Sequence, residues 1–136
     1  MSDKISGSCL CGKVKFEIEN HFDRLFLCHC TQCQKTSGSV HVTNLFGSAD
    51  GFRWISGEKF VKRFEYPNRD FTNVFCTECG SGVPYLNQSG TAIVVPAGTL
   101  DAEPNFSSAS KIFHSERAEW TSEIQSMEAF EKFPTE

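Results

Sequence analysis

The chain has 136 residues and a formal net charge of −4, a length that fits one domain of ordinary size spanning residues 1–136. Its thirteen Lys and Arg are scattered and outnumbered by seventeen Asp and Glu, which argues against nucleic acid as a partner. No apolar run approaches the roughly 18 residues of a membrane span, and Met1-Ser2-Asp3-Lys4 lacks the apolar core of a signal peptide. A cytoplasmic protein with no membrane partner is therefore expected.

Period-2 alternation dominates the chain. Lys13-Val14-Lys15-Phe16-Glu17-Ile18 places Val, Phe and Ile on one face and charges on the other, the pattern of a half-buried antiparallel strand. Further strands are expected over 25–28, 40–46, 52–55, 60–66, 72–75 and 92–95, with one more over 111–114. Ser56-Gly57 and Pro67-Asn68 punctuate them as turns. Helix is scarce. A turn or two is expected over 31–38, and Ile124, Met127 and Phe130 recur every third residue as a short core-facing helical edge. The sum is a mainly β fold of short antiparallel strands, stacked sheets or an open barrel, with little helix.

The seven cysteines form three tight clusters: Cys9-x-Cys11, Cys28-x-Cys30-x2-Cys33 and Cys76-x2-Cys79. Without a secretory context such spacing points to a metal rather than to disulfides, and tetrahedral zinc is the simplest occupant. Cys9-Leu-Cys11-Gly12 and Cys76-Thr-Glu-Cys79-Gly80 each end in a glycine that permits a tight knuckle. Two such half-sites far apart in sequence close one tetrahedron, so Cys9, Cys11, Cys76 and Cys79 are expected to hold a structural zinc. Cys28, Cys30 and Cys33 remain for a second zinc, giving two Zn²⁺ per chain. Three thiolates leave a fourth position open, as in catalytic zinc sites, although His29 or His41 could instead complete a second structural site. Strand alternation turns His29 away from its flanking cysteines, which argues against its binding the same ion. His21 reads as a solvated turn residue, His41 as a packed or edge residue, and His114 as a surface or cleft residue.

With these clusters in view, the chain resembles the glutathione-dependent formaldehyde-activating enzyme family, which includes centromere protein V. The matching stretches are Gly7-Ser-Cys-Leu-Cys-Gly-Lys-Val-Lys-Phe16, Cys28-His-Cys-Thr-Gln-Cys33 with Gly38, Phe75-Cys-Thr-Glu-Cys-Gly-Ser81, Ala97-Gly-Thr-Leu-Asp101 and Trp120. The resemblance implies a β-tent fold pinned by zinc, with the four-cysteine set structural and Cys28, Cys30 and Cys33 on the catalytic zinc. It also implies a carbon–sulfur lyase that adds glutathione to formaldehyde, giving S-hydroxymethylglutathione. The sequence departs from the family where an arginine often follows the third cysteine of the second cluster, for Gln34-Lys35 stands there. It departs again two residues before Cys76, where a basic residue is common and this chain has Val74. Lys35 and backbone N–H groups are then the local counter-charges for an anionic thiol. The expected partners are a small thiol, glutathione or an analogue, and a small aldehyde. No catalytic side chain beyond the second zinc site is singled out. The alternative reading is a non-catalytic binding module in which both metals are structural.

Overall fold

The computed structural model describes residues 3–134; Met1, Ser2, Thr135 and Glu136, part of the single domain expected from the sequence, lie outside the described residues. Ten strands carry the fold: β1 (Lys4–Ser8), β2 (Lys15–Glu19), β3 (Phe22–Cys28), β4 (Val42–Gly47), β5 (Phe52–Ser56), β6 (Val61–Glu65), β7 (Thr72–Cys76), β8 (Tyr85–Leu86), β9 (Ile93–Pro96) and β10 (Phe106–Ile112). One short helix, α1 (Thr31–Ser37), follows β3. The chain is mainly β, as its alternation predicts.

The strands form three sheets, ordered β1-β2-β5, β10-β3-β4-β9-β8 and β6-β7. Among the described residues all strand pairings are antiparallel except β10 with β3, which is parallel. In β2 the side chains of Phe16 and Ile18 are buried while Lys15 points outward, so the sequence alternation becomes the two faces of the sheet. Phe16, Ile18, Phe22 and Leu45 form the main core with Ile5, Ile93 and Val95, where the first two sheets meet. Burial of each such side chain contributes roughly 1.5–3 kcal/mol. Gly7 is obligatory at this junction. A Cβ there would strike the Phe16 ring and lie 2.7 Å from the Thr99 carbonyl oxygen, so β1 can approach only without a side chain.

Two expectations are corrected. The strand expected over 111–114 is the end of a longer one: β10 runs from Phe106 to Ile112, and Phe113 turns into the left-handed region with φ 50° before a 3₁₀ turn over His114–Glu116. The C-terminal stripe is not core-facing. Glu119–Ser126 is 3₁₀-helical, a geometry in which side chains three apart eclipse, and Ile124, Met127 and Phe130 are all exposed.

Candidate metal centre

Two cysteine sets assemble from the three clusters. Among the described residues, the donor atoms of Cys9, Cys11, Cys76 and Cys79 all lie within 4.8 Å of one another, as do those of Cys28, Cys30 and Cys33. The first set joins the loop after β1 to the end of β7. Its Cys9–Cys11 and Cys11–Cys76 sulfur separations are 3.5 and 4.0 Å. These bracket the roughly 3.8 Å edge of a tetrahedron built on Zn–S bonds of about 2.3 Å, so the set fits a metal ion of zinc's size.

The backbone around this set is arranged for negative sulfur. The Val14 N–H donates to Cys9 Sγ at 3.3 Å and the Glu78 N–H to Cys76 Sγ at 3.4 Å. Gly12 and Gly80 take φ of 80° and 79°, the left-handed bend that closes each knuckle. The knuckles are tied to each other as well: Lys13 Nζ meets Glu78 Oε1 at 2.8 Å, and the Leu10 N–H donates to Ser81 Oγ at 3.1 Å. The Ser81 hydroxyl, followed by backbone N–H groups, holds the Cys79 thiol down to about 5. Cys11 goes the other way, to about 11: the Lys13 N–H favours its thiolate, but desolvation and the three neighbouring sulfurs outweigh it. Without a cation, like charge keeps the cluster from ionising together. A divalent metal would remove that obstacle.

The second set is local. Cys28 ends β3, Cys30 caps α1 with its sulfur accepting from the Cys33 N–H at 3.3 Å, and Cys33 lies one turn into the helix. All three are buried, packed by Val42, Phe71 and Ile112. Burial pushes the Cys28 and Cys33 thiols up. The surroundings offer these thiols little compensation for charge, and a bound cation would supply it. The start of α1 is clamped from outside, since Glu116 Oε1 accepts from the Thr31 N–H and hydroxyl at 3.0 and 3.2 Å. Gln34 Nε2 donates to the His29 carbonyl at 2.8 Å and to the Glu116 carbonyl at 3.1 Å. Gln34, which stands where an arginine is common in the resembling family, thus braces the loop.

The three thiols form part of the wall of a cavity of about 550 Å³. Phe26, Phe46 and Phe71 give it apolar surface, and Asn44, Asn87 and Gln88 give it amides. Its cation is Arg69, whose Nη1 donates to Gln32 Oε1 at 2.8 Å, and its carboxylates are Asp70 and Glu116. Lys35, the counter-charge expected from the sequence, lies instead beside a smaller neighbouring cavity of about 210 Å³. Tyr85, from β8, also lines the site. Burial, followed by the charge of Cys33, pushes its phenol up to about 12, so it stays a neutral hydroxyl throughout the physiological range. Arg69 and Tyr85 escaped the sequence reading because neither lies within a motif; Arg69 comes from the loop joining β6 to β7 and Tyr85 from β8.

The histidines stand apart from both sulfur sets. His21 is exposed between β2 and β3. His29 is buried and turned away from the sulfurs, its ring centroid 5.2 Å from that of His41 and 5.3 Å from that of His114.

No helix among the described residues is long and apolar enough to cross a membrane. A solved structure of a Rhodobacter sphaeroides protein superposes with a TM-score of 0.60 at 18% identity, covering 77% of this chain and 99% of that one. At that identity the likeness concerns the fold. The sequence profile of the glutathione-dependent formaldehyde-activating enzymes matches residues 4–116, which include all seven cysteines and both metal-competent sets. On that match the chain belongs to the glutathione-dependent formaldehyde-activating enzyme family.

Proposed function

We propose that this chain, as one zinc-binding domain in a reducing cytoplasm, is a carbon–sulfur lyase that adds glutathione or a similar small thiol to formaldehyde or a similar aldehyde. The observation that carries the reading is the cavity wall in which three buried cysteines stand with Tyr85 and Arg69. In this reading Cys9, Cys11, Cys76 and Cys79 hold a structural zinc that ties β1 to β7, and Cys28, Cys30 and Cys33 hold a second one. Zinc bound by the three cysteines would favour the thiolate form of an incoming thiol at neutral pH.

The rest follows from the chain's own groups. Arg69 offers a guanidinium for a carboxylate of the thiol compound, and the Asn44 amide orients its polar backbone. The sulfur attacks the carbonyl carbon, the C–S bond forms, and the π pair moves to oxygen. The proton lost from the thiol ends on that oxygen, so no oxidant or reductant is required. Tyr85, held neutral, donates a hydrogen bond where the negative charge develops.

Metal analysis of the protein purified under reducing conditions should approach two zinc per chain. Formaldehyde consumption should exceed the uncatalysed thiol addition only with the protein present, and Cys30→Ser should abolish the increment. One zinc that added metal cannot raise, or a rate equal to the background across a panel of small thiols, would overturn the enzyme reading. The second reading, a non-catalytic binding module, draws support from the exposed Trp120, Met127 and Phe133. It predicts no calorimetric thiol binding to zinc-loaded protein.

A further inference from the structure

A second cavity, of about 530 Å³, lies on the side of the cysteine loop to which His29 turns. Leu27, His29 and His41 line it together with Lys111, which pairs with Leu27 across β3 and β10, and with His114 and Arg117. None of its lining residues is acidic, and among the described residues Lys111 and Arg117 form no ion pair with a carboxylate.

His29 is the unusual member. It is 6% exposed, and neither ring nitrogen has a hydrogen-bond partner. A neutral imidazole carries one donor and one acceptor, and buried polar atoms of this kind are ordinarily satisfied. The arrangement is unsuited to a cation. The histidine nitrogens do not belong to the sets whose donor atoms converge within 4.8 Å, and two permanent cations line the same space.

The family match ends at residue 116, and Arg117, Thr121, Ser122 and Ile124 come after it. Thr121 and Ser122 add hydroxyls, while Leu27, Val40 and Ile124 give apolar surface next to the charged groups.

We propose that this cavity binds a small organic oxyanion. Its phosphate or carboxylate group would take the Lys111 and Arg117 charges and an imidazole N–H, with the carbon part against Leu27, Val40 and Ile124. The proposal is independent of thiol chemistry in the cysteine cavity.

The test is an imidazole ¹H–¹⁵N NMR titration of the full chain with inorganic phosphate, phenyl phosphate and benzoate, at fixed pH and chloride-balanced ionic strength. Saturable shifts of the His29, His41 or His114 resonances are expected below roughly 10 mM ligand. Arg117→Gln and Lys111→Gln, both at exposed positions, should each weaken binding on the order of tenfold while circular dichroism stays unchanged. Saturation by the phosphates alone, or by benzoate alone, would support the site and name its class of ligand. No saturable shift with any probe would overturn the proposal. So would unchanged affinity in both variants, or Zn²⁺ binding to these histidines as a further equivalent.

Discussion

Tyr85 offers the sharpest test of the cysteine cavity, because its ionisation reports burial against the sulfur site without requiring metal or substrate. Its phenol stands at about 12 rather than its ordinary 10. A difference of two in pKa corresponds to about 2.7 kcal/mol between the two protonation states. The sign follows from linkage. Below about pH 10 folded and unfolded chains both keep the proton; between about 10 and 12 the unfolded chain releases it first. Stability contributed by Tyr85 is therefore complete below pH 10 and is lost as pH rises towards 12, at up to about 1.4 kcal/mol per pH unit. The chain has two tyrosines, so phenolate absorbance can be assigned by substitution. Tyr85→Phe should remove a titration step near pH 12, and urea unfolding at pH 10 and 11 should show the wild type losing about 1 kcal/mol more than the variant. If Tyr85→Phe removes a step near pH 10 instead, the phenol is solvated. The hydrogen-bonding role assigned to it at the aldehyde oxygen then fails.

Two glycines with the same φ separate conformational strain from steric overlap. At Gly80 (φ 79°) a Cβ meets nothing within 4 Å, so Gly80→Ala should cost about 1–2 kcal/mol for the left-handed backbone alone. At Gly57 (φ 79°) it would run into the Lys13 carbonyl and lie 2.9 Å from Val14 Cα, so Gly57→Ala should cost about 1–3 kcal/mol more in urea unfolding; equal losses would contradict the geometry. In metal-free protein, alkylation mapped by mass spectrometry should label Cys79 with a midpoint near pH 5 and Cys11 only near pH 11, because only the thiolate reacts. Ser81→Ala should move the Cys79 midpoint upward, and a midpoint that stays put would remove the hydroxyl as its cause.

Much of the fold was legible because short-range physics writes it. In β2, Phe16 and Ile18 alternate with charged residues since one face meets the core and the other meets water. The strand expected over 72–75 follows the same rule, for β7 buries every second side chain. β10 defeats it. Phe106-Ser-Ser-Ala-Ser-Lys-Ile is almost wholly exposed at a sheet edge, so no alternation marks it, and parallel main-chain pairing with β3 places it. The C-terminal stripe shows the converse: a regular apolar period states that side chains share a face, not that anything covers that face.

For the site, the sequence by itself determined which sulfurs can meet. A Cys-x-Cys or Cys-x2-Cys loop brings its two thiols close whatever the rest of the chain does, and the glycine after each knuckle supplies the left-handed bend. Spacing also turned His29 away from its neighbouring cysteines. What only the tertiary structure decided is everything these groups face. Arg69 and Tyr85 border the cysteine cavity, Lys35 does not, and His41, His114 and Lys111 gather around His29. The reason is physical. Spacing within a few residues is governed by covalent geometry, whereas cavity walls come from strands paired across long stretches of chain, where sheet register and burial choose the neighbours.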